Sequence, residues 1–151
     1  MKESNFQTDF GNWLKTHLDY FPSSCAFELK IWKLDKSRSF PLNAVKPHQL
    51  EGLAAADGSG LYHKISDSPI FRGMRSRFTA KKPFDCMLLK DALSYIVIWP
   101  YLRGQRATDR RCYFVSLDKW LGLVNALTVE KKKSFRLDTL KDNGIELCVW
   151  G

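Results

Sequence analysis

The stretch CAFELKIW, residues 25–32, decides the fold because its side chains alternate between apolar and polar. From residue 27 to residue 31 the odd-numbered side chains are apolar and share one face, whereas Glu28 and Lys30 share the other. Since the apolar face is strong, we predict a central strand of a sheet. Charges on a central strand are costly unless they are paired or bound to a metal. Two interpretations remain: a plain Glu28–Lys30 ion pair on the surface, or an acid and an amine that act on a substrate.

Helices and further strands are predicted on both sides of this strand. The spacing of Phe6, Phe10 and Trp13 indicates an amphipathic helix over residues 4–21, and Pro47 suits the first turn of a second helix. Other helices are predicted after Ser116 and around 138–142, and other strands at 60–65, 84–89, 92–99, 112–115 and 146–150. This order predicts an α/β or α+β fold with a mixed central sheet flanked by helices.

Length and composition limit the class of protein. The chain has 151 residues, enough for one domain, 1–151, with one hydrophobic core. No apolar run approaches the roughly 20 residues that a bilayer span requires, and the first residues lack an apolar signal core. We therefore expect a protein without a membrane partner that stays in the cytoplasm. The four cysteines lack zinc-ligand spacing and are expected to be buried, reduced thiols.

The net charge of +8 favours a polyanionic partner, since lysine and arginine neutralise phosphates and release their counterions. The basic residues are concentrated in segments 72–82 and 103–111. The first contains Arg72, Arg75, Arg77, Lys81 and Lys82, and the second contains Arg103, Arg106, Arg110 and Arg111. Because arginine pairs well with phosphate, we predict that both segments contact DNA; the alternative is two solvated loops.

The first strand is also the beginning of a longer motif. From Phe27 the chain reads FELKIWKLDKSRSFPLNAVKPHQLEGL: an E-x-K strand, a lysine-rich turn, a Ser-Phe-Pro-Leu segment, and His-Gln at the start of a helix. In this stretch the chain resembles RecU-type Holliday junction resolvases of the PD-(D/E)xK nuclease superfamily, in particular their small phage-type relatives. The corresponding positions are Glu28, Lys30, Ser39, Phe40, Pro41, Leu42, His48 and Gln49. The resemblance implies a restriction-endonuclease-like fold and a twofold homodimer that cuts branched DNA with Mg²⁺ or Mn²⁺, in the host cytoplasm if the protein is phage-encoded.

The resemblance also implies a set of metal ligands. Glu28 and Asp85 would hold the ion, with the main-chain carbonyl of Leu29 and the carboxylate of Glu3 as further ligands. Asp85 lies in the segment Pro83-Phe84-Asp85, which is similar to the strand-borne Pro/Asp element of these nucleases. In the usual order this aspartate precedes E-x-K, whereas here it follows, so we expect a rearranged order. As alternatives, Asp85 is a polar residue that starts a strand, and Glu3 is a frayed terminal residue.

Other residues receive roles in catalysis and DNA binding from the same resemblance. Lys30 would orient the attacking water or stabilise the transition state, and Gln49 would contact the water or the phosphate. Ser39 and His48 would contact DNA. The basic insertion 66–83 looks like a counterpart of the stalk that enters the junction in RecU-type enzymes; a flexible loop is the alternative.

Two other functions fit the same residues. One is a different nuclease of the superfamily, such as a repair or restriction type or an exonuclease. The other is a DNA-binding recombination accessory protein that keeps the fold without cutting. An RNA-binding module has no support, since no RNP-like strand or GxxG loop is present.

Overall fold

The computed structural model describes residues 3–17, 24–59, 61–64, 86–89 and 91–150. It has a mixed α+β architecture in which helices flank a mixed sheet. The helices are α1 (Glu3–Thr16), α2 (Pro47–Ala54), α3 (Leu117–Val129) and α4 (Leu137–Asn143). The strands are β1 (Cys25–Lys33), β2 (Phe40–Pro41), β3 (Leu61–Lys64), β4 (Cys86–Leu89), β5 (Leu93–Tyr101), β6 (Cys112–Ser116), β7 (Ser134–Phe135) and β8 (Ile145–Leu147). The predicted mixed sheet with flanking helices is confirmed.

Four strands form the main sheet, in the order β1-β5-β6-β8. β1 and β5 run parallel, with Glu28 opposite Ile96, whereas the other neighbours are antiparallel. The connection through α2 makes the parallel pair possible, because it returns the chain to the end of the sheet where β1 began. Within the described part of the chain β1 pairs along one edge only, so the central position predicted for this strand is not seen among these residues. Alternation of apolar and polar residues predicts that one face of a strand is buried, but it does not predict how many strands lie beside that strand.

One face of the main sheet packs against α1. Phe27, Leu29 and Ile31 lie on this face and contact a cluster that includes Phe6 and Phe10 of α1. The helix forms here because its buried residues recur every three or four positions and so make one apolar stripe. We call this cluster the α1 core.

The opposite face packs against α2, α3 and α4. Trp32 of β1 lies there with Phe40, Trp120 and Phe135, and all four side chains are buried. We call this cluster the α3 core. Because side chains alternate along a strand, Glu28 and Trp32 are on the same side of β1, and Glu28 therefore faces the α3 core.

A hydrogen bond fixes α2 against the sheet. Ser94 is buried in β5, and its hydroxyl donates to the carbonyl oxygen of Leu53 at 2.8 Å. A second bond joins the Ala92 amide to the Ala56 carbonyl at 2.9 Å. The end of α2 is thus tied to the beginning of β5, which places the helix over the polar face of β1.

The segment between β1 and α2 contains a strand that the sequence did not reveal. β2 pairs antiparallel with β7, with Phe40 opposite Phe135. Two-residue strands are too short to show alternation, so neither was predicted. Their function in the fold is to hold the Ser-Phe-Pro-Leu segment against the aromatic α3 core.

Several element ends differ from the predictions. α1 ends at Thr16 rather than at residue 21, and β8 is limited to Ile145–Leu147. Ser116 is at the N-cap of α3 as predicted, but its side chain makes no capping hydrogen bond. β3 and β4 confirm the strands predicted at 60–65 and 84–89, and they pair with each other. No helix in the described ranges is both long and apolar enough to cross a membrane.

Candidate active site

Glu28 and Lys30 project together from the face of β1 that is turned toward the α3 core. The ammonium nitrogen of Lys30 lies 2.8 Å from Oε1 of Glu28, and the two side chains are only 15% and 22% exposed, respectively. Ile96 and Ile98, opposite them on β5, are fully buried. Charges in such surroundings lose hydration, so they are stable only when paired. The alternation read from the sequence is confirmed.

Gln49 joins this pair from α2. Its Nε2 donates to Oε1 of Glu28 at 2.7 Å, and its Oε1 accepts from the Lys46 amide at 2.8 Å. Pro47 starts the helix with its fixed backbone angle, which brings Gln49 to the third helical position, where a side chain can cap the helix start. The two bonds orient the amide without ambiguity, because an ionised carboxylate only accepts hydrogen bonds. The structure therefore brings together three residues predicted to act at one site.

The two carboxylate oxygens of Glu28 have different surroundings. Oε1 forms the ion pair with Lys30 and accepts the hydrogen bond from Gln49, whereas Oε2 has no hydrogen bond or ion pair within the described residues. A carboxylate oxygen is a suitable ligand for a hard cation. Mg²⁺ is often held by one or two carboxylates together with water and substrate phosphate, so Glu28 fits as one of its ligands.

The other predicted metal ligands are not assembled by the described residues. Asp85 lies outside them, and the described part of the chain holds no cluster of three or more His, Cys, Asp or Glu side chains. Leu29 is in β1, with its side chain in the α1 core. Glu3 is the first residue of α1, and its side chain is also outside the description.

Some of the predicted DNA-binding residues lie outside the described ranges, and others are described by the structure. Arg72, Arg75, Arg77, Lys81 and Lys82, and with them the segment 66–83, lie outside the described residues. His48 is exposed on the first turn of α2. Ser39 precedes β2, and its carbonyl oxygen accepts a hydrogen bond from the Ser37 hydroxyl at 2.7 Å.

The basic segment 103–111 is partly engaged by the fold. The guanidinium of Arg110 lies 5.5 Å from the ring centres of both Trp99 and Trp150, in cation–π contacts. Arg111 pairs with Glu146 at 3.4 Å. Arg103 and Arg106 are exposed. Tertiary contacts that the sequence cannot show thus engage Arg110 and Arg111. The DNA contact of this segment stays a prediction.

Tyr113 completes the contacts around Glu146. Its hydroxyl donates to Oε2 of Glu146 at 2.6 Å, and burial together with this bond raises the pKa of Tyr113 well above its usual value. The protonated phenol therefore stabilises the fold below about pH 10, and this contribution is lost as the pH rises further.

We expect the free energy of unfolding to fall less steeply above about pH 9 in Tyr113→Phe than in the wild type, because the variant has no phenol to ionise. Urea unfolding of both proteins across the alkaline range measures this difference. Equal slopes would contradict the role of the Tyr113–Glu146 bond.

One basic surface was missed by the sequence reasoning. It consists of Lys131, Lys132, Lys133 and Arg136, which follow α3 and surround β7, and we call it the lysine groove. The run Lys-Lys-Lys-Ser-Phe-Arg is visible in the sequence. Its position beside the Ser-Phe-Pro-Leu segment depends on the unpredicted pairing of β2 with β7.

Comparison of the chain with protein-family models, with curated proteins and with solved structures finds no match. The grouping of Glu28, Lys30 and Gln49 is accordingly the basis for a functional proposal.

Proposed function

We propose that this protein is a metal-dependent endonuclease that hydrolyses phosphodiester bonds in branched DNA, with the four-way junction as its substrate. One observation carries the proposal: a half-buried carboxylate has one oxygen held by Lys30 and Gln49, and its other oxygen has no partner among the described residues. An acid and an amine two residues apart on a strand, beside a glutamine on the next helix, suit phosphodiester hydrolysis.

Each residue has a distinct part in this chemistry. A divalent ion, when bound, supplies a water of lowered pKa and neutralises charge on the scissile phosphate. Glu28 would hold that ion through Oε2. Lys30 still has donors beyond the bond to Glu28, and it would place one against the attacking water or a phosphate oxygen, where it stabilises developing negative charge. Gln49 is a positioning residue, because it fixes the Glu28 side chain from a capped helix.

Further ligands are part of the proposal. We assign the second carboxylate to Asp85 and keep the Leu29 carbonyl and Glu3 as additional candidates. The order of E-x-K strand, helix and parallel strand supports a restriction-endonuclease-like arrangement, with the aspartate strand entering from elsewhere in the chain.

The choice of branched DNA rests on charge and on the sequence resemblance. The net charge of +8 favours a polyanion. A four-way junction has two equivalent strands to cut, so the proposal includes a homodimer with twofold symmetry.

A second candidate function is DNA binding without cleavage. It is favoured by the 2.8 Å contact through which Glu28 and Lys30 already neutralise each other. An ion pair of this kind is also found where it only supports a fold.

Cleavage of a labelled four-way junction and of a linear duplex of matched sequence, with Mg²⁺, with Mn²⁺ and with a chelator, tests the proposal. We expect cutting of the junction that depends on the metal, and loss of cutting with retained binding in Glu28→Ala and in Asp85→Ala. Equal cutting of junction and duplex would indicate another nuclease of the superfamily. Binding without cutting by the wild type would indicate the second candidate, and undiminished cutting by Glu28→Ala would refute the site.

A further inference from the structure

The lysine groove lies at the end of α3, outside the candidate active site. Three consecutive lysines, 131–133, face Pro41, Leu42 and Asn43 across a cleft of about 440 Å³. A second cleft of about 470 Å³ shares Lys132 with the first. Ser39 and Arg136 also line it, together with the carboxylate of Asp138.

The charges in this groove are largely uncompensated. Residues 130–136 contain four cationic side chains and one carboxylate, and all five are exposed. Glu130 pairs with Lys132 at 2.6 Å. Lys131, Lys133 and Arg136 have no ion pair with any residue in the described ranges. Three cations are thus available to an anionic ligand.

The backbone holds the lysines in fixed positions. The amides of Lys131 and Lys132 donate to the carbonyl oxygens of Thr128 and Leu127, and the carbonyl of Lys133 accepts from the Leu42 amide at 3.0 Å. Lys131 has a φ of 57°, a conformation that side chains disfavour and glycine adopts readily. The position just after the helix end is thus occupied by a cationic side chain, although glycine would be less strained there.

The groove is on the same side of the sheet as Glu28. Trp32 follows Glu28 by four residues on the same face of β1, a distance of about 13 Å along the strand. The Trp32 ring lies 5.7 Å from the ring of Phe40 and 6.3 Å from that of Phe135, centre to centre, and these two residues form the β2–β7 pair beside the groove. At a rise of about 3.4 Å per nucleotide, this separation corresponds to roughly four nucleotides or more of a DNA strand.

We infer that Lys131, Lys133 and Arg136 form a second DNA-contact site, which binds the backbone phosphates that flank the cleavage site at Glu28. The inference rests on the proposed function, because it takes DNA as the substrate. Ser39 lines the same groove as Lys132 and Arg136, so a DNA strand bound there would also lie close to Ser39. Lysines after a helix also interact favourably with the helix dipole, but that effect does not require a residue with positive φ.

Binding measured in a chelator, where no cleavage occurs, tests the groove separately from the nuclease activity. The probes are a fluorescent four-way junction and a linear duplex, titrated over a range of NaCl concentrations. The triple variant Lys131→Gln/Lys133→Gln/Arg136→Gln is expected to lower the slope of log affinity against log salt by about 2–3, since each phosphate contact contributes about 0.9. The control variant Lys15→Gln/Lys119→Gln/Lys141→Gln removes the same charge from exposed sites that line neither cleft, and it should leave the slope near that of the wild type.

The outcomes separate the groove from the proposed nuclease. An unchanged slope in the groove variant overturns the inference and leaves an acidic protein segment as the remaining occupant. An equal fall in both triple variants also overturns it, because net charge alone would then explain binding. A fall confined to the groove variant supports it even if Glu28→Ala still cuts DNA, in which case only the proposed active site fails.

A single substitution separates binding from stability. Lys131→Gly is expected to raise the melting temperature by about 2–4 °C through relief of backbone strain, and to lower the salt slope by about 0.9. Asp91, also exposed, has a φ of 51°, so Asp91→Gly is the control: it should gain stability without losing slope. A Lys131→Gly protein that binds DNA with the wild-type slope would overturn the assignment of Lys131.

Discussion

Glu28→Gln is expected to reduce cleavage of four-way DNA by at least about 100-fold while the protein still binds the junction. The substitution keeps the size of the side chain, and an amide oxygen can still accept from Gln49. It removes the negative charge that would hold a divalent ion and that fixes the Lys30 ammonium at 2.8 Å. Gel-based cleavage and anisotropy binding on the same junction measure the two effects.

Loss of activity alone would not distinguish a catalytic carboxylate from a structural one. Glu28→Gln leaves the Lys30 ammonium, which is only 15% exposed, without its ionic partner. Such a loss costs about 1–3 kcal/mol in the free energy of unfolding. A drop in activity could therefore come from a disturbed fold.

The double variant Glu28→Gln/Lys30→Met separates the two explanations. It has no unpaired charge, and methionine fills the space of the lysine stem beside Ile98, so we expect part of the lost stability to return. If Glu28 and Lys30 act on the substrate, cleavage stays absent in the double variant. If the ion pair only supports the fold, cleavage recovers together with stability, and that result would exclude the proposed active site.

The residues of the candidate site could be predicted from the sequence because they follow short-range rules. Alternation along a strand places Glu28 beside Lys30, and a proline at a helix start places Gln49 on the first turn. Both patterns need only neighbouring residues. The resemblance to a nuclease motif predicted that Gln49 acts on the water or the phosphate at the same site, but its contact with Glu28, across 21 positions of sequence, was not predicted.

The features that the sequence did not reveal depend on long-range pairing. The position of β1 at the end of the four-stranded sheet formed by the described residues follows from how β5 and β6 assemble, and nothing within residues 25–32 encodes it. The β2–β7 pair joins two dipeptides that are distant in the chain, and it creates the lysine groove. Likewise, the sequence shows no partner for Arg110, but its guanidinium lies over the ring of Trp150. Trp150 in turn donates a hydrogen bond to Asp9 of α1, which is 141 positions away in the chain.

Trp120→Ala is expected to cause the largest loss of stability among substitutions in the α3 core, about 3–5 kcal/mol. The Trp120 ring is fully buried and lies 5.9 Å from the Phe135 ring and 6.3 Å from the Phe40 ring, centre to centre. Removing it leaves a cavity under the β2–β7 pair, which supports the Ser-Phe-Pro-Leu segment and the lysine groove. Urea unfolding measures the loss, and DNA binding by the remaining folded protein should weaken because the groove is no longer supported.

The milder substitution Trp120→Phe tests a more specific point about this core. Nε1 of Trp120 is buried and has no hydrogen-bond partner in the part of the chain that the structure describes, whereas Nε1 of Trp32 donates to the Ser37 carbonyl at 2.9 Å. The change to phenylalanine removes the same volume from both side chains. Trp32→Phe also breaks a hydrogen bond. Trp120→Phe instead removes a buried donor that has no partner among the described residues. We therefore expect Trp32→Phe to cost about 1 kcal/mol more than Trp120→Phe. If Trp120→Phe is the more damaging of the two, the Trp120 N–H has a partner, and the core is held by a polar contact as well as by its rings.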